Sequence, residues 1–308
     1  MKTSTSEASA ERPDLVTASE LSNAGMRPHK GLWRDAWERL TRNRAAVVSI
    51  IFLIALVTAA IVAPILTPYD PYSPEFGETL EPPSREHLLG TDELGRDMLT
   101  RLLFGARVSL AVGLVVQTLS LVVGTLLGLT AGYFGGAVDT IIMRLVDIMY
   151  AFPNFLFAVF MVSLLNPSIA SIILVLSFVG WPFVARLTRG QVLSVKECEY
   201  VQAARAIGAP HWRIMTRHVL TNTLSPLIVT FTIGIAGVII SEAGLSFLGI
   251  GIRPPNPTWG SMIAKGRQYF RSYPYLALYP SILLGLTVLA FNFVGDGLRD
   301  ALDPRLRE

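Results

Sequence analysis

The chain has 308 residues, 51% of them hydrophobic and 16% charged, with a formal net charge of +3 and a mean hydropathy of +0.48. The length would suit two soluble domains, but this composition is that of an integral membrane protein, and a small charge with its basic residues in loops argues against nucleic-acid binding. Cys198 is the only cysteine. It therefore permits no intramolecular disulfide and no cysteine-based zinc site, and Glu197 and Glu199 beside it disfavour a reactive thiolate.

Residues 1–28 are polar and without periodicity, and are expected to form a disordered tail. Lys30–Arg44 differs: Leu32, Trp33, Ala36, Trp37 and Leu40 share one helical face, with Arg34, Arg39, Arg42 and Arg44 around the rest. That pattern predicts an interfacial amphipathic helix on an anionic leaflet. Ala45–Leu66 is an uncharged run long enough to span a bilayer. More than forty polar residues precede it, so it reads as a retained anchor rather than a signal peptide. The acidic stretch that follows (Asp70, Glu75, Glu78, Glu81, Glu86, Asp92, Glu93, Asp97) predicts a cytoplasmic N-terminus and an outside segment.

Val108–Val138 is the second expected span, with Gly124 and Gly128 at a spacing that suits close helix packing. Tyr133–Gly136 reads as a turn. The run from Asp139 to Ala185 is too long for one crossing, and Asn166-Pro167 divides it into a third and a fourth helix. Leu220–Leu248 and Tyr275–Gly295 complete six, with a Pro/Gly-rich outside loop at Gly249–Pro274. Both termini then lie in the cytoplasm. The expected organisation is a tail at 1–28, an extension at 29–104 and a core at 105–298, followed by a cytoplasmic tail at 299–308. Core helices are expected at about 107–132, 140–165, 168–187, 221–248 and 275–296.

Between the fourth and fifth spans lies a polar, basic island, Glu199–Asn222, with helix–turn–helix grammar. Tyr200, Ala203, Ala204 and Ile207 fall on one helical face, with Gln202 and Arg205 on the other. Gly208 suits a left-handed C-terminal turn, and Pro210 the start of a second helix. A small-residue knob on the cytoplasmic side predicts a docking site for a partner.

Polar residues inside apolar runs need partners or water. Arg144 and Asp147 are three apart and can pair with each other. Glu242 either lines the pore or hydrogen-bonds within the bundle. Asn154 and Asn292, single amides in apolar helices, read as interhelical contacts and are carried with Glu242 as pore or gate candidates. No phosphate-binding loop, HExxH motif or Ser/His/Asp set is present, and His211 and His218 are spaced as two turns of a helix rather than as a metal pair. No catalytic residue, bound cofactor or metal is therefore expected. Two other readings are a membrane-embedded hydrolase using Glu242 or Asp147, which lacks a nucleophile and base, and a stand-alone secondary transporter. The latter predicts inverted repeats and broken helices, neither of which the sequence shows.

Four stretches together resemble the permease subunits of bacterial dipeptide/oligopeptide/nickel ABC importers, of the type with an N-terminal extension. They are His87–Leu110 (HLLGTDELGRDMLTRLLFGARVSL), the island, Glu242–Gly260 (EAGLSFLGIGIRPPNPTWG) and the tail FNFVGDGLRDALDPRLR. The resemblance runs from about Gly31 to Arg307. It implies an all-α type I ABC importer permease fold in the bacterial cytoplasmic membrane. It also implies two related permease subunits forming the pore, two ATPase subunits that use ATP, and a periplasmic or lipid-anchored binding protein. The island is similar to the loop that engages the ATPases, which implies coupling roles for Glu199, Tyr200, Gln202, Ala203, Ala204, Arg205, Gly208 and His218. Two positions depart from the family pattern: Gln202 stands where glutamate gives the loop its name, and Thr221 follows Leu220 where proline is frequent. The implied cargo is a di- or oligopeptide, with nickel, glutathione or another small solute as the alternative.

Overall fold

A computed structural model describes residues 32–75 and 79–303, the side chains of Leu32 and Trp33 excepted. The expected tail at 1–28 and the last residues, 304–308, lie outside that range. Ten helices form among the described residues: α1 (Leu32–Arg42), α2 (Arg44–Leu66), α3 (Met98–Phe134), α4 (Gly136–Tyr150), α5 (Asn154–Leu164), α6 (Ile169–Val195), α7 (Glu199–Ala206), α8 (His211–Phe247), α9 (Trp259–Gly266) and α10 (Tyr275–Leu302). No strand forms among them; one isolated antiparallel bridge pairs Thr91 with Asp97.

Five helices (α2, α3, α6, α8 and α10) are long and apolar enough to cross a membrane, and α4 with α5 forms a sixth, broken crossing bent by 83°. The expectation of one straight helix over 140–165 is thus corrected. Pro153 has no N–H to continue the ladder and disfavours helical geometry at Phe152, so α4 ends at Tyr150 and α5 restarts at Asn154. A broken helix, not visible in the hydropathy pattern, is therefore present.

α3 is the central post, packed along α6 and against α8 and α2. Between helices in lipid there is little hydrophobic drive, so close backbone approach has to hold them. Gly124 and Gly128 supply it: an added Cβ would lie 2.5 Å from Val184 Cβ and 2.7 Å from Thr188 Cβ, both on α6. Gln117 of α3 adds an interhelical hydrogen bond, donating from Nε2 to the Thr230 carbonyl of α8 at 3.3 Å.

α3 begins nine residues before the expected 107, inside what was taken as the extension. Its start is fixed by Asp97, which accepts from the Thr100 N–H and hydroxyl at 2.7 Å each. Hydropathy alone misses this turn because it contains Arg101. That guanidinium is buried, 3.2 Å from Asp92 and donating to the Pro71 carbonyl at 2.7 Å. Around it the His87–Asp97 stretch folds into a closed polar cluster: Arg96 lies 2.7 Å from Asp92, His87 Nδ1 3.0 Å from Asp97, and Lys265 of α9 2.9 Å from Glu93.

At the opposite end, the single apolar face expected for α1 divides. Ala36 and Leu40 are buried with Ala46 of α2 and Ala301 of α10, while Trp37 is 65% exposed.

Candidate functional site

The α6–α8 connection carries the expected docking residues. α7 opens with Glu199 in its first turn and closes with Arg205 in its last, both favourable to the helix dipole. It ends in a Schellman turn: the Ala209 N–H donates to the Ala204 carbonyl at 3.1 Å and the Gly208 N–H to the Arg205 carbonyl at 3.0 Å. Gly208 has φ +77, a conformation open to glycine at little cost. Pro210 then caps α8, one residue before its first turn.

The buried side of α7 is Val201 and Ala204, packed with Ile214 and Val219 of α8, Leu129 and Tyr133 of α3, and Val192 of α6. Of Tyr200, Ala203, Ala204 and Ile207, expected to share one face, only Ala204 is buried; Tyr200, Ala203 and Ile207 are exposed along with Gln202, Arg205 and Gly208. Through positions 201 and 204, α7 packs on a π-helical segment, Ile214–Leu220. Ile207 is 84% and Trp212 69% exposed, so the tip of the connection is apolar and uncovered. Trp212 was not singled out by its spacing; its place directly after a Pro-capped start was the available signal.

The knob is held rigidly. Tyr133 of α3 hydrogen-bonds through its hydroxyl to His211 Nδ1 at 2.9 Å, and the Arg205 guanidinium sits 6.0 Å from the Tyr133 ring centre. Lys196 donates to the Gly132 carbonyl at 3.0 Å, and Arg189 makes a bidentate pair with Asp139 of α4 at 2.5 and 2.6 Å. Gln202, in place of the family's glutamate, donates from Nε2 to the Glu197 carbonyl at 3.0 Å. Partial burial and the neighbouring Cys198 push the Tyr200 phenol up, leaving it a neutral donor. His218 is half-buried in the π segment, where its carbonyl accepts from the Asn222 amide at 2.6 Å.

The pore candidates fall in three different settings. Glu242 is fully buried inside the subunit, accepting from Ser246 at 2.8 Å and lying 3.5 Å from the Ser109 hydroxyl of α3. Ser109 in turn accepts from the Trp259 N–H at 3.4 Å, so Glu242 ties α8, α3 and the start of α9 together, and the bundle role is the one its geometry supports. Asn154 is exposed at the α4–α5 elbow, and Asn292 is half-buried on α10. Asp147 does not pair with Arg144. Its carboxylate takes Arg186 of α6 at 2.8 Å, with that guanidinium 4.4 Å over the Tyr150 ring. Among the described residues no group of three or more His, Cys, Asp or Glu is arranged to hold a metal.

Residues 124–308, more than half of the chain, match the family described as binding-protein-dependent transport system inner membrane component. The chain belongs to that family. Residues 31–83 match the N-terminal TM domain of oligopeptide transport permease C. The chain is 43% identical over 280 residues to the dipeptide transport system permease protein DppC of Alkalihalophilus pseudofirmus, covering 89% of this chain and 90% of that one. It is 42% identical over 276 residues to the glutathione transport system permease protein GsiD of Pectobacterium atrosepticum, covering 89% and 92%. Against the oligopeptide transport system permease protein OppC of Bacillus subtilis the identity is 38% over 277 residues, covering 90% and 91%. Among solved structures, an inward-facing form of the MetNI methionine ABC transporter aligns with TM-score 0.55 at 22% identity, covering 67% of this chain and 98% of that one. It shares the fold. With six crossings and this family, the protein is a multi-pass component of the inner membrane.

Proposed function

We propose that this chain is the pore-forming permease subunit of an ATP-driven, binding-protein-dependent importer of di- and oligopeptides, moving its cargo by alternating access. The observation that carries the reading is the 43% identity with a dipeptide permease over nine-tenths of both chains. ATP hydrolysis belongs to separate subunits, a second related permease completes the pore, and a binding protein delivers the peptide. The N- and C-termini and the α6–α8 connection face the cytoplasm.

In this scheme α7 is the lever. An ATPase surface closes on Ile207, Tyr200 and Trp212, and the Schellman turn and the Tyr133–His211 and Arg189–Asp139 links pass its displacement to α3, α4 and α6 as one rigid body. ATP binding shifts the equilibrium by favouring one of two bundle arrangements.

The cargo path passes the α4–α5 elbow. Phe157 of α5 lies with its ring 6.4 Å from Phe178, nine residues into α6. That is about 14 Å along the helix, near the middle of a hydrocarbon core roughly 30 Å thick. Irregular backbone at such a depth is tolerated where protein covers it or water reaches it. Asn154 is exposed at that elbow, which supports it, rather than Glu242, as a lining residue.

Purification from the native membrane tests the assignment. A second permease and an ATPase should accompany the chain, and peptide uptake by the reconstituted assembly should require ATP. Uptake by this chain alone in liposomes, indifferent to ATP, would refute it.

A further inference from the structure

A groove of about 440 Å³ runs between α2 and α10 and opens on the surface of the subunit. Val48, Phe52, Leu286, Leu289 and Phe293 line it, and its one charged lining residue, Arg44, stands at the end where α2 begins. Arg44 makes no ion pair among the described residues, and Asp296, a turn beyond Phe293 on α10, is exposed. At that end Asn43 caps α2, its Oδ1 accepting from the Ala46 N–H at 3.1 Å, and the positive end of the helix dipole there favours an anion. The corner between α1 and α2, flanked by Arg42 and Arg44, is pinned at the mouth of the groove. An added Cβ at Gly297 of α10 would lie 2.6 Å from Ala46 Cβ and 3.1 Å from Leu40 Cδ1, so the side chains of that corner sit directly on the Gly297 backbone.

A second groove of about 440 Å³ lies between α3 and α8, lined by residues such as Val122, Leu126, Leu224 and Phe231 with no charged group. The two differ in one respect that bears on chemistry: only the α2–α10 groove joins an apolar channel to a cation.

We propose that the α2–α10 groove is a binding site for one anionic phospholipid of the cytoplasmic leaflet. Its phosphate sits on Arg44 at the α1–α2 corner and an acyl chain lies along Val48, Phe52, Leu286 and Phe293. From Arg44 to Phe52 the channel descends about 12 Å, most of one leaflet's hydrocarbon. The bound lipid fastens the N-terminal extension to the end of α10, beside the surface where α1 already packs on Ala301. The site takes from the proposed function only the cytoplasmic placement of the N-terminus, and its test reads the same whatever solute is carried.

Native mass spectrometry of the complete importer, purified with its partner subunits, tests this with phosphatidylglycerol and phosphatidylcholine of matched acyl chains. One phosphatidylglycerol per copy of this chain should be retained, preferred by about fivefold, the worth of one basic residue at an anionic surface. Arg44→Gln should abolish the preference and Arg44→Lys should keep it. Ala290→Trp, which fills the channel, should lower retention, whereas Leu126→Trp in the other groove should leave the preference unchanged. Glycerol phosphate, which has the headgroup charge without the chains, should not compete.

Equal retention of the two lipids, or an undiminished preference in Arg44→Gln, would overturn the proposal. So would cross-linking of Val48→Cys, an exposed lining position, in a Cys198→Ser background, to a partner subunit, since the groove would then be covered by protein.

Discussion

The two connections at opposite ends of α3 are built on opposite rules. The last part of the α2–α3 connection and the first turn of α3 bury their charges: Asp92, Arg96, Asp97 and Arg101 are all under 5% exposed, and each finds its partner within this chain. The α6–α8 connection is shorter, packs on only Val201 and Ala204, and leaves Ile207 and Trp212 in the open. A segment that satisfies its own polar groups and hides its apolar ones is finished as a monomer. A segment held rigidly from behind, with its large apolar residues outward, is complete only in an assembly. The difference separates stability from function along one polypeptide, and mutations at the two ends should fail in different ways.

The largest effect is expected at the closed end. Arg101→Met removes one of the two buried cations on Asp92, leaving Arg96 alone to hold it, and takes the donor from the buried Pro71 carbonyl, a loss of roughly 1.5–3 kcal/mol. Thermal unfolding of the purified protein should show a large fall in Tm or a failure to accumulate. If Arg101→Met unfolds at the wild-type temperature, the cluster does not hold that end.

At the open end, Gly208→Val forces a β-branched residue to φ +77, a local cost of about 1–3 kcal/mol confined to the turn. No neighbour lies within 4 Å of an added Cβ, so packing is untouched. Insertion and unfolding temperature should stay near wild type while ATP-driven uptake is lost. A variant that instead fails to insert would place Gly208 with the structural end.

Milder still for the fold, Ile207→Glu and Trp212→Ala should each change stability by no more than about 0.5 kcal/mol, as surface substitutions do. Each should nonetheless weaken ATPase association by roughly tenfold or more if these side chains anchor the interface, as measured by retention of the ATPase during purification. Smallest is Asp139→Asn, which loosens the partly exposed pair with Arg189 for about 1 kcal/mol or less and should slow uptake without dissociating the complex.

Much of this was legible in the sequence because lipid imposes long uncharged runs: five of the six expected spans are single helices, and the third is the bent α4–α5 pair. The helix–turn–helix of the island was equally plain, since Gly208 and Pro210 punctuate it locally. What escaped were side-chain pairings that only folding brings together. Arg101 looked like a loop residue because its ion pair with Asp92 is formed only by folding, so α3 was started too late. Asp147 was matched with Arg144, its neighbour on the same helix, whereas the structure gives it Arg186 on another. That Val201 joins Ala204 on the buried side of α7 follows from Ile214 and Val219 beneath it, a packing that local spacing does not display. Phe152-Pro153 held a signal for the elbow that the apolar run around it masked.

The account turns on Ile207 meeting an ATPase, and a photo-reactive phenylalanine analogue at position 207 of the assembled, transport-competent importer measures that contact directly. The expected result is a covalent adduct with the ATPase subunit whose yield changes when ATP is bound. An importer that takes up peptide normally while residue 207 reacts only with solvent or lipid would contradict the claim that this tip is the coupling surface.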